Sequence, residues 1–194
     1  MTNTENIDEL FESSSIVINN CKSLTNLIQL SVEKIIESFE NGNKLLIFGN
    51  GGSAADAQHM SAEFIGRYLL ERKSLPAIAL TTDSSILTAI GNDYNFDQIF
   101  SRQCESIVKK GDVIFAISTS GQSKNVIGGI DIAKSKGAFI ISLTGEDGKL
   151  MKEKSDICLE VPSNSTPRIQ EGHRIVIHII CQLVEQDFYQ KNSS

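Results

Sequence analysis

From about Ile7 to Asn41 the apolar positions keep helical time. Leu24, Leu27, Ile28, Val32, Ile35, Ile36 and Phe39 recur three and four residues apart. Asn41-Gly42-Asn43 closes the run with residues suited to a helix C-terminus. The pattern then changes to five short, almost continuously apolar runs, each followed by a helical pattern: Lys44–Phe48, Ala77–Leu80, Val113–Ile117, Phe139–Leu143 and Ile157–Val161. Short runs without polar alternation are what strands buried on both faces require. Strands alternating with helices predict right-handed crossovers and an open, parallel α/β sheet covered on both sides. A last helix is expected from about Thr166 to Gln190, with Pro167 in its first turn and Ile169, Ile175, Val176, Ile179, Ile180, Leu183 and Val184 in register.

With 194 residues and no linker or low-complexity tract, one domain is expected over 1–194: a helical segment, 1–42, and an α/β core with the last helix, 43–194. The chain is 40% apolar and 22% charged, which excludes a disordered chain. A formal net charge of −6 argues against a protein that holds nucleic acid by a basic footprint. No apolar run reaches the ~18 residues of a membrane span, and the polar N-terminus lacks a signal peptide's apolar region. Cys21, Cys104, Cys158 and Cys181 form no CxxC pair, so a cytoplasmic protein with reduced cysteines is expected.

Two βα units share one design: strand, Gly/Ser-rich loop, helix. The first loop, Gly49-Asn50-Gly51-Gly52-Ser53, fits the relaxed dinucleotide fingerprint through Gly49, Gly51 and Ala54. Its acidic partner is missing, because Glu71 precedes the second strand instead of ending it, and no Gly-Lys-Ser/Thr follows. An ordinary tight turn explains the glycines equally well. The second loop, Ser118-Thr119-Ser120-Gly121-Gln122-Ser123, is richer, with four hydroxyls in six residues at a helix start. Unpaired N–H groups and the helix dipole favour an anion there, and hydroxyls supply further donors. Helix capping is the plainer explanation, but one cap uses one hydroxyl. Ligands of open α/β sheets bind where strands end, so both loops should face one crevice.

There are three histidines, His59, His173 and His178. His59 and Glu63, four residues apart, share a helix face and suit either two metal ligands or an acid/base pair; many such pairs are only solvated neighbours. On the last helix Gln170 and His178 lie about 80° apart around the axis and can approach one point, whereas His173 and His178 lie about 140° apart. His178 sits in an apolar run, where a lone histidine is usually a core residue. Its polar company, Arg168, Gln170 and Glu171, argues for a site. Asn92-Asp93 reads as a turn signal.

Taken in order, Phe48-Gly-Asn-Gly-Gly-Ser-Ala-Ala-Asp-Ala-Gln-His59, Glu63-Phe-Ile-Gly-Arg67, Ala89-Ile-Gly-Asn-Asp93, Ile117-Ser-Thr-Ser-Gly-x-Ser123 and Arg168-Ile-Gln-Glu-x-His173 resemble the phosphoheptose isomerases of the sugar-isomerase (SIS) domain family. The resemblance covers nearly the whole chain. It implies a flavodoxin-like, three-layer αβα sandwich with a central five-stranded parallel sheet. It implies a homotetramer with active sites between subunits, and conversion of sedoheptulose 7-phosphate to D-glycero-D-manno-heptose 7-phosphate for lipopolysaccharide or other surface glycans. Carried over by motif, Ser118, Thr119, Ser120 and Ser123 meet the phosphate. Asn50, Gly51, Gly52 and Ser53 line the opposite side. Asn92 and Asp93 contact the sugar, and Arg67 and Gln170 lie at the substrate. The same resemblance makes His59, Glu63, Gln170 and His178 ligands of one zinc per subunit, Glu63 and His178 the acid/base residues, and His173 a non-ligand. Gln122 departs from the family, where Asn is more usual.

The chemistry asks for such residues. Aldose–ketose isomerisation moves a proton between adjacent carbons through a cis-enediol. A carboxylate can act as the base, an imidazole can shuttle a proton at oxygen, and zinc can polarise a carbonyl. Glu63 cannot serve fully as both ligand and base, so those roles compete. One alternative is a non-catalytic SIS-domain protein that binds the bacterial replication initiator, to which Thr82–Ala89 and Ser101–Gln103 are also similar; loss of the Glu63 carboxylate would mark such a binder, and this chain keeps it. Others are an isomerase for a different sugar phosphate and a dinucleotide-dependent oxidoreductase, in which the hydroxyl-rich loop has no place.

Overall fold

The five apolar runs pair into one parallel sheet in a computed structural model that describes residues 4–192. The outermost residues of the expected domain, 1–3 and 193–194, lie outside that range. The strands are β1 (Leu45–Gly49), β2 (Ala77–Ala79), β3 (Val113–Ser118), β4 (Phe139–Gly145) and β5 (Ile157–Val161), ordered β2-β1-β3-β4-β5. Leu45 stands opposite Ala77 on one side and Val113 on the other, and Val113 is opposite Phe139. The helices are α1 (Thr4–Asn20), α2 (Thr25–Glu40), α3 (Gly52–Ile65), α4 (Ser84–Asp93), α5 (Ser101–Ile107), α6 (Lys124–Ser135), α7 (Lys149–Lys154) and α8 (Thr166–Asn192).

Alternation along each strand builds two cores. Leu45, Ile47, Phe115, Ile117 and Leu143 face α2, α3 and α8, where Ile35, Met60, Phe64, Val176 and Ile180 are fully buried. Leu46, Phe48, Ile114, Ala116 and Ile140 face the other way, onto Ile90 of α4, Cys104 of α5, Val126 and Ile130 of α6 and Met151 of α7. This is the expected three-layer, flavodoxin-like sandwich with a long C-terminal helix. β1 and β3 are buried at every position because helices cover both faces, which is why their sequences show no polar alternation.

The N-terminal run is two helices, not one. A 3-10 turn at Cys21–Leu24 breaks it, with both of those side chains buried one turn apart. The hydroxyls of Ser23 and Thr25 donate to the carbonyls of Asn20 and Lys22, which competes with the helical ladder at the break. α2 then packs on the sheet, while α1 lies outside on α8. Two bonds tie α1 down: Arg168 donates to the Leu10 carbonyl and Ser14 donates to Glu171, while Arg168 and Glu171 brace each other within α8. Arg168 and Glu171 therefore serve α1, not the neighbourhood of His178. α2 ends as expected, with Asn43 N–H bonding the Ser38 carbonyl and Gly42 N–H the Phe39 carbonyl.

Strand order reverses between β1 and β3, with β2 on one side and β4 on the other. The Gly49–Ser53 and Ser118–Ser123 loops leave the carboxyl ends of those two strands, at the position where open α/β sheets bind ligands.

Candidate active site

The two loops are joined by a reciprocal amide pair. Asn50 Nδ2 donates to Asn125 Oδ1 and Asn125 Nδ2 donates to Asn50 Oδ1, both at 2.9 Å. Asn125 lies in the first turn of α6 and is buried. No local pattern marks Asn125 in the sequence, because its partner is 75 residues away. Beyond Asn50 the chain enters α3 through Gly51 and Gly52, with Ser53 buried. A Cβ on Gly52 would stand 2.6 Å from Gln170 Nε2, so the Gln170 amide rests on the bare backbone at the start of α3.

In the second loop three of the hydroxyls gather around Ser118. Ser118 Oγ lies 3.2 Å from Ser123 Oγ and 3.4 Å from Ser120 Oγ. Ser123 is the residue before α6, yet its side chain caps no helix N–H. The capping explanation thus fails for the residue best placed to cap. Gly121 has φ +62°, and a Cβ there would meet Gly148 Cα at 2.4 Å, so this turn is packed backbone to backbone. Gly145 N–H donates to the Thr119 carbonyl and braces the loop from the end of β4. A depression of about 290 Å³ opens beside Thr119, Ser120 and Gln122, and one of about 400 Å³ beside Gly52, Asp56, Gln170 and Arg174. The first turn of α8 runs between them.

α3 and α8 run side by side and bring two of the histidines together. His59 Nε2 and His178 Nε2 are 2.9 Å apart, so one ring carries the Nε2 proton and donates it to the other. Glu63 Oε1 is 3.4 Å from His59 Nε2, and the Tyr68 ring lies 5.6 Å from that of His178. One turn nearer the loops, buried Asp56 pairs with Arg174 at 2.5 Å. Burial holds the Asp56 carboxyl above its ordinary value, against the pull of Arg174 and the two histidines. Burial also pushes the His178 imidazole down, helped by His59 and Arg174, so its neutral form prevails at neutral pH. Asp56, Arg174 and Tyr68 went unread in the sequence.

His173 faces the opposite way. It is fully buried, and neither ring nitrogen closes a hydrogen bond, although the Thr144 backbone faces the ring. Burial depresses its pKa to about 4. Gln170 lies eight residues before His178, about 12 Å along the helix, and sits over Gly52 instead of beside the imidazoles. Arg67 is exposed and pairs loosely with Glu71 at 3.7 Å. Asn92 and Asp93 close α4 instead of forming a separate turn; both are exposed, and Asn92 donates to Asp93.

The metal question rests on the donors. Among the described residues no three His, Cys, Asp or Glu side chains stand ready-made around a metal. His59, His178 and Glu63 nevertheless converge with the N and O donors that zinc takes. Two zinc-bound nitrogens are about 3.3 Å apart on a tetrahedral ion, so the rings need only a slight parting. The donor chemistry fits; Gln170 is the donor not gathered with the rest.

Across residues 11–145 the chain matches the SIS domain family. It is 56% identical over 168 residues to a phosphoheptose isomerase of Citrifermentans bemidjiense, covering 87% of this chain and 88% of that protein. It superposes on the solved phosphoheptose isomerase of Neisseria gonorrhoeae with a TM-score of 0.90, at 40% identity, over 95% of this chain and all of that one. For the enzyme from Francisella tularensis the TM-score is 0.92 at 35% identity, over 96% of this chain and all of that one. These likenesses do not favour the initiator-binding alternative. The hydroxyl loop, the imidazole–carboxylate cluster and these relatives agree: the chain is an isomerase that belongs to the phosphoheptose isomerase family of SIS-domain proteins.

Proposed function

We propose that the protein converts sedoheptulose 7-phosphate to D-glycero-D-manno-heptose 7-phosphate through a cis-enediol. One observation carries the reading: Ser118, Ser120 and Ser123 gather their hydroxyls together, not onto the helix they precede, and α3, which leaves the adjoining Gly49–Ser53 loop, carries His59 and Glu63 about two to three turns further on, against His178 of α8. A phosphate seated there accepts from Ser118, Thr119, Ser120 and Ser123 and from free N–H groups at the start of α6. Asn50, Gly51, Gly52 and Ser53 form the facing wall, with Gln170, Asn92, Asp93 and Arg67 toward the sugar.

With the phosphate fixed, the reacting carbons approach Glu63 and His178. The Glu63 carboxylate takes the proton from C1 of the ketose, exchanges it in part with solvent, and delivers a proton to C2. His178 gives a proton at the C2 oxygen and takes one at the C1 oxygen, which its neutral imidazole suits. Zinc, one per subunit, would be held by His59, Glu63 and His178, with Gln170 standing apart over Gly52, and would supply Lewis-acid polarisation of the carbonyl. Were Glu63 to hold that metal, its basicity would fall, so its roles as ligand and as base compete.

We also read the protein as a cytoplasmic homotetramer with active sites between subunits, a single domain over 1–194, supplying heptose for lipopolysaccharide or another surface glycan. Exposed Ile7, Leu10, Phe11 and Ile16 on α1, and Tyr94 and Phe96 beside Asn92 and Asp93, support the assembly. Exposed Arg67, Asn92 and Asp93 are then free to reach a neighbour's substrate. No helix of the described residues is long and apolar enough to cross a membrane.

Incubation with sedoheptulose 7-phosphate, with and without zinc, followed by product analysis, tests the reading. Wild type should form the aldose, while Glu63→Gln and His178→Ala should not. An inactive wild type would overturn the reaction. Full activity in both variants would overturn the residue roles and leave the family intact.

A further inference from the structure

Behind the imidazole pair lies a buried ion pair that touches no substrate-facing group. Arg72 Nε and Glu185 Oε1 are 3.4 Å apart, and both side chains are 1% exposed. Arg72 follows α3 and folds back over its end. It donates to the carbonyls of Glu63 and Phe64, each at 2.8 Å, and of Lys73 at 3.0 Å. The last carbonyls of α3, including that of Glu63 itself, thereby find a fixed planar donor. Glu185 belongs to α8, two turns beyond His178. Its carboxylate accepts the backbone N–H groups of Tyr68, Leu69 and Leu70 at 2.6–2.8 Å. That grip holds the Tyr68 ring beside His178.

The pair is therefore bonded to both helices that carry the reacting side chains and to the loop that carries Tyr68. A lone bridge would be weak evidence of anything, since hydrophobic replacement of buried pairs is often harmless to stability. This one is different in its partners: three donors and four acceptors of the main chain, the fourth being the Gly66 carbonyl at 3.4 Å, converge on it, all within one helical turn or the following loop of Glu63. Burial opposes ionisation of Glu185, yet the three N–H donors and Arg72 outweigh it and hold the carboxyl below its ordinary value.

We infer that Arg72 and Glu185 are positioning residues of the isomerase, which fix the end of α3 against α8 and so set the spacing of His59, Glu63, His178 and Tyr68. The inference rests on the proposed reaction for its kinetic arm only. A geometric error at the reacting atoms costs turnover, while the phosphate loop on β3 and α6 is left as it was. Glu185→Gln keeps an acceptor but loses the ion pair; Arg72→Lys keeps the charge but loses the planar fork.

Two readouts decide the matter. In steady-state kinetics each folded variant should lose at least tenfold in kcat with KM for sedoheptulose 7-phosphate changed less than threefold. In imidazole NMR the chain has three histidines, so the signals of His59 and His178 should shift in each variant while that of buried His173 stays. Variants with kcat within twofold of wild type, or with unmoved His59 and His178 signals, overturn the inference. Should Arg72→Lys fail to fold, the isosteric Glu185→Gln decides alone. If wild type does not turn over sedoheptulose 7-phosphate, the reaction fails, and the NMR arm by itself supports or overturns the positioning role.

Discussion

His173 makes the pH dependence of stability measurable at one residue. Its ring is fully buried between α8 and the end of β4, with two unpartnered nitrogens and a pKa of about 4 against an ordinary 6.5. As pH falls below 6.5 the unfolded chain binds a proton that the folded chain refuses until about pH 4. The stability due to this group is thus complete above 6.5 and is lost on the way down to 4. The gap is worth about 3 kcal/mol in full, most of which is gone by pH 4.5. Other titrating groups also change stability over this range, so the comparison is with His173→Leu, which removes the ring and its two orphaned atoms. Urea unfolding of both proteins at pH 7.5, 6.5, 5.5 and 4.5 gives the difference directly. Wild type should lose about 2–3 kcal/mol more than the variant between the first and last of these. Parallel pH curves would refute the reasoning. The site is connected to this ring: Thr144 precedes Gly145, whose N–H braces Thr119, so the phosphate loop should loosen as the ring takes its proton.

Three further outcomes follow from the loops. Ser120→Ala removes one donor to a charged phosphate, and KM for the sugar phosphate should rise about tenfold or more with a smaller change in kcat. Gly121→Ala places a Cβ in the left-handed region and 2.4 Å from Gly148 Cα; it should lower stability by about 2 kcal/mol or more in urea melts and raise KM as well. Asn125→Ala orphans the Asn50 amide and should cost about 1–3 kcal/mol by the same melts.

The strands were legible because helices cover both faces of the sheet, which forces continuous apolar runs such as Leu45–Phe48 and Val113–Ile117. The break at Cys21–Leu24 was not, because it contains no glycine or proline. All of its residues accept helical angles, and only the Ser23 and Thr25 hydroxyls mark the place. Periodicity separated His173 from His178 correctly, since 140° around one helix sends one ring into the core and the other toward α3. It could not show that Gln170 rests on Gly52, two turns from the imidazoles. Nor could it show that Arg168 and Glu171 answer to α1. Asn125, Asp56, Arg174, Arg72 and Glu185 escaped for one shared reason. Each acts through a partner distant in sequence or through backbone atoms, and neither leaves a local pattern.

The central claim is that this chain moves a proton between neighbouring carbons of a phosphorylated sugar, with Glu63 as the base. Running the reaction in deuterium oxide tests it most directly. A carboxylate exchanges its proton with solvent, so wild type should form heptose 7-phosphate carrying deuterium at C2, and Glu63→Gln should form neither product nor exchanged substrate. Undiminished product formation or undiminished exchange by Glu63→Gln would contradict the account.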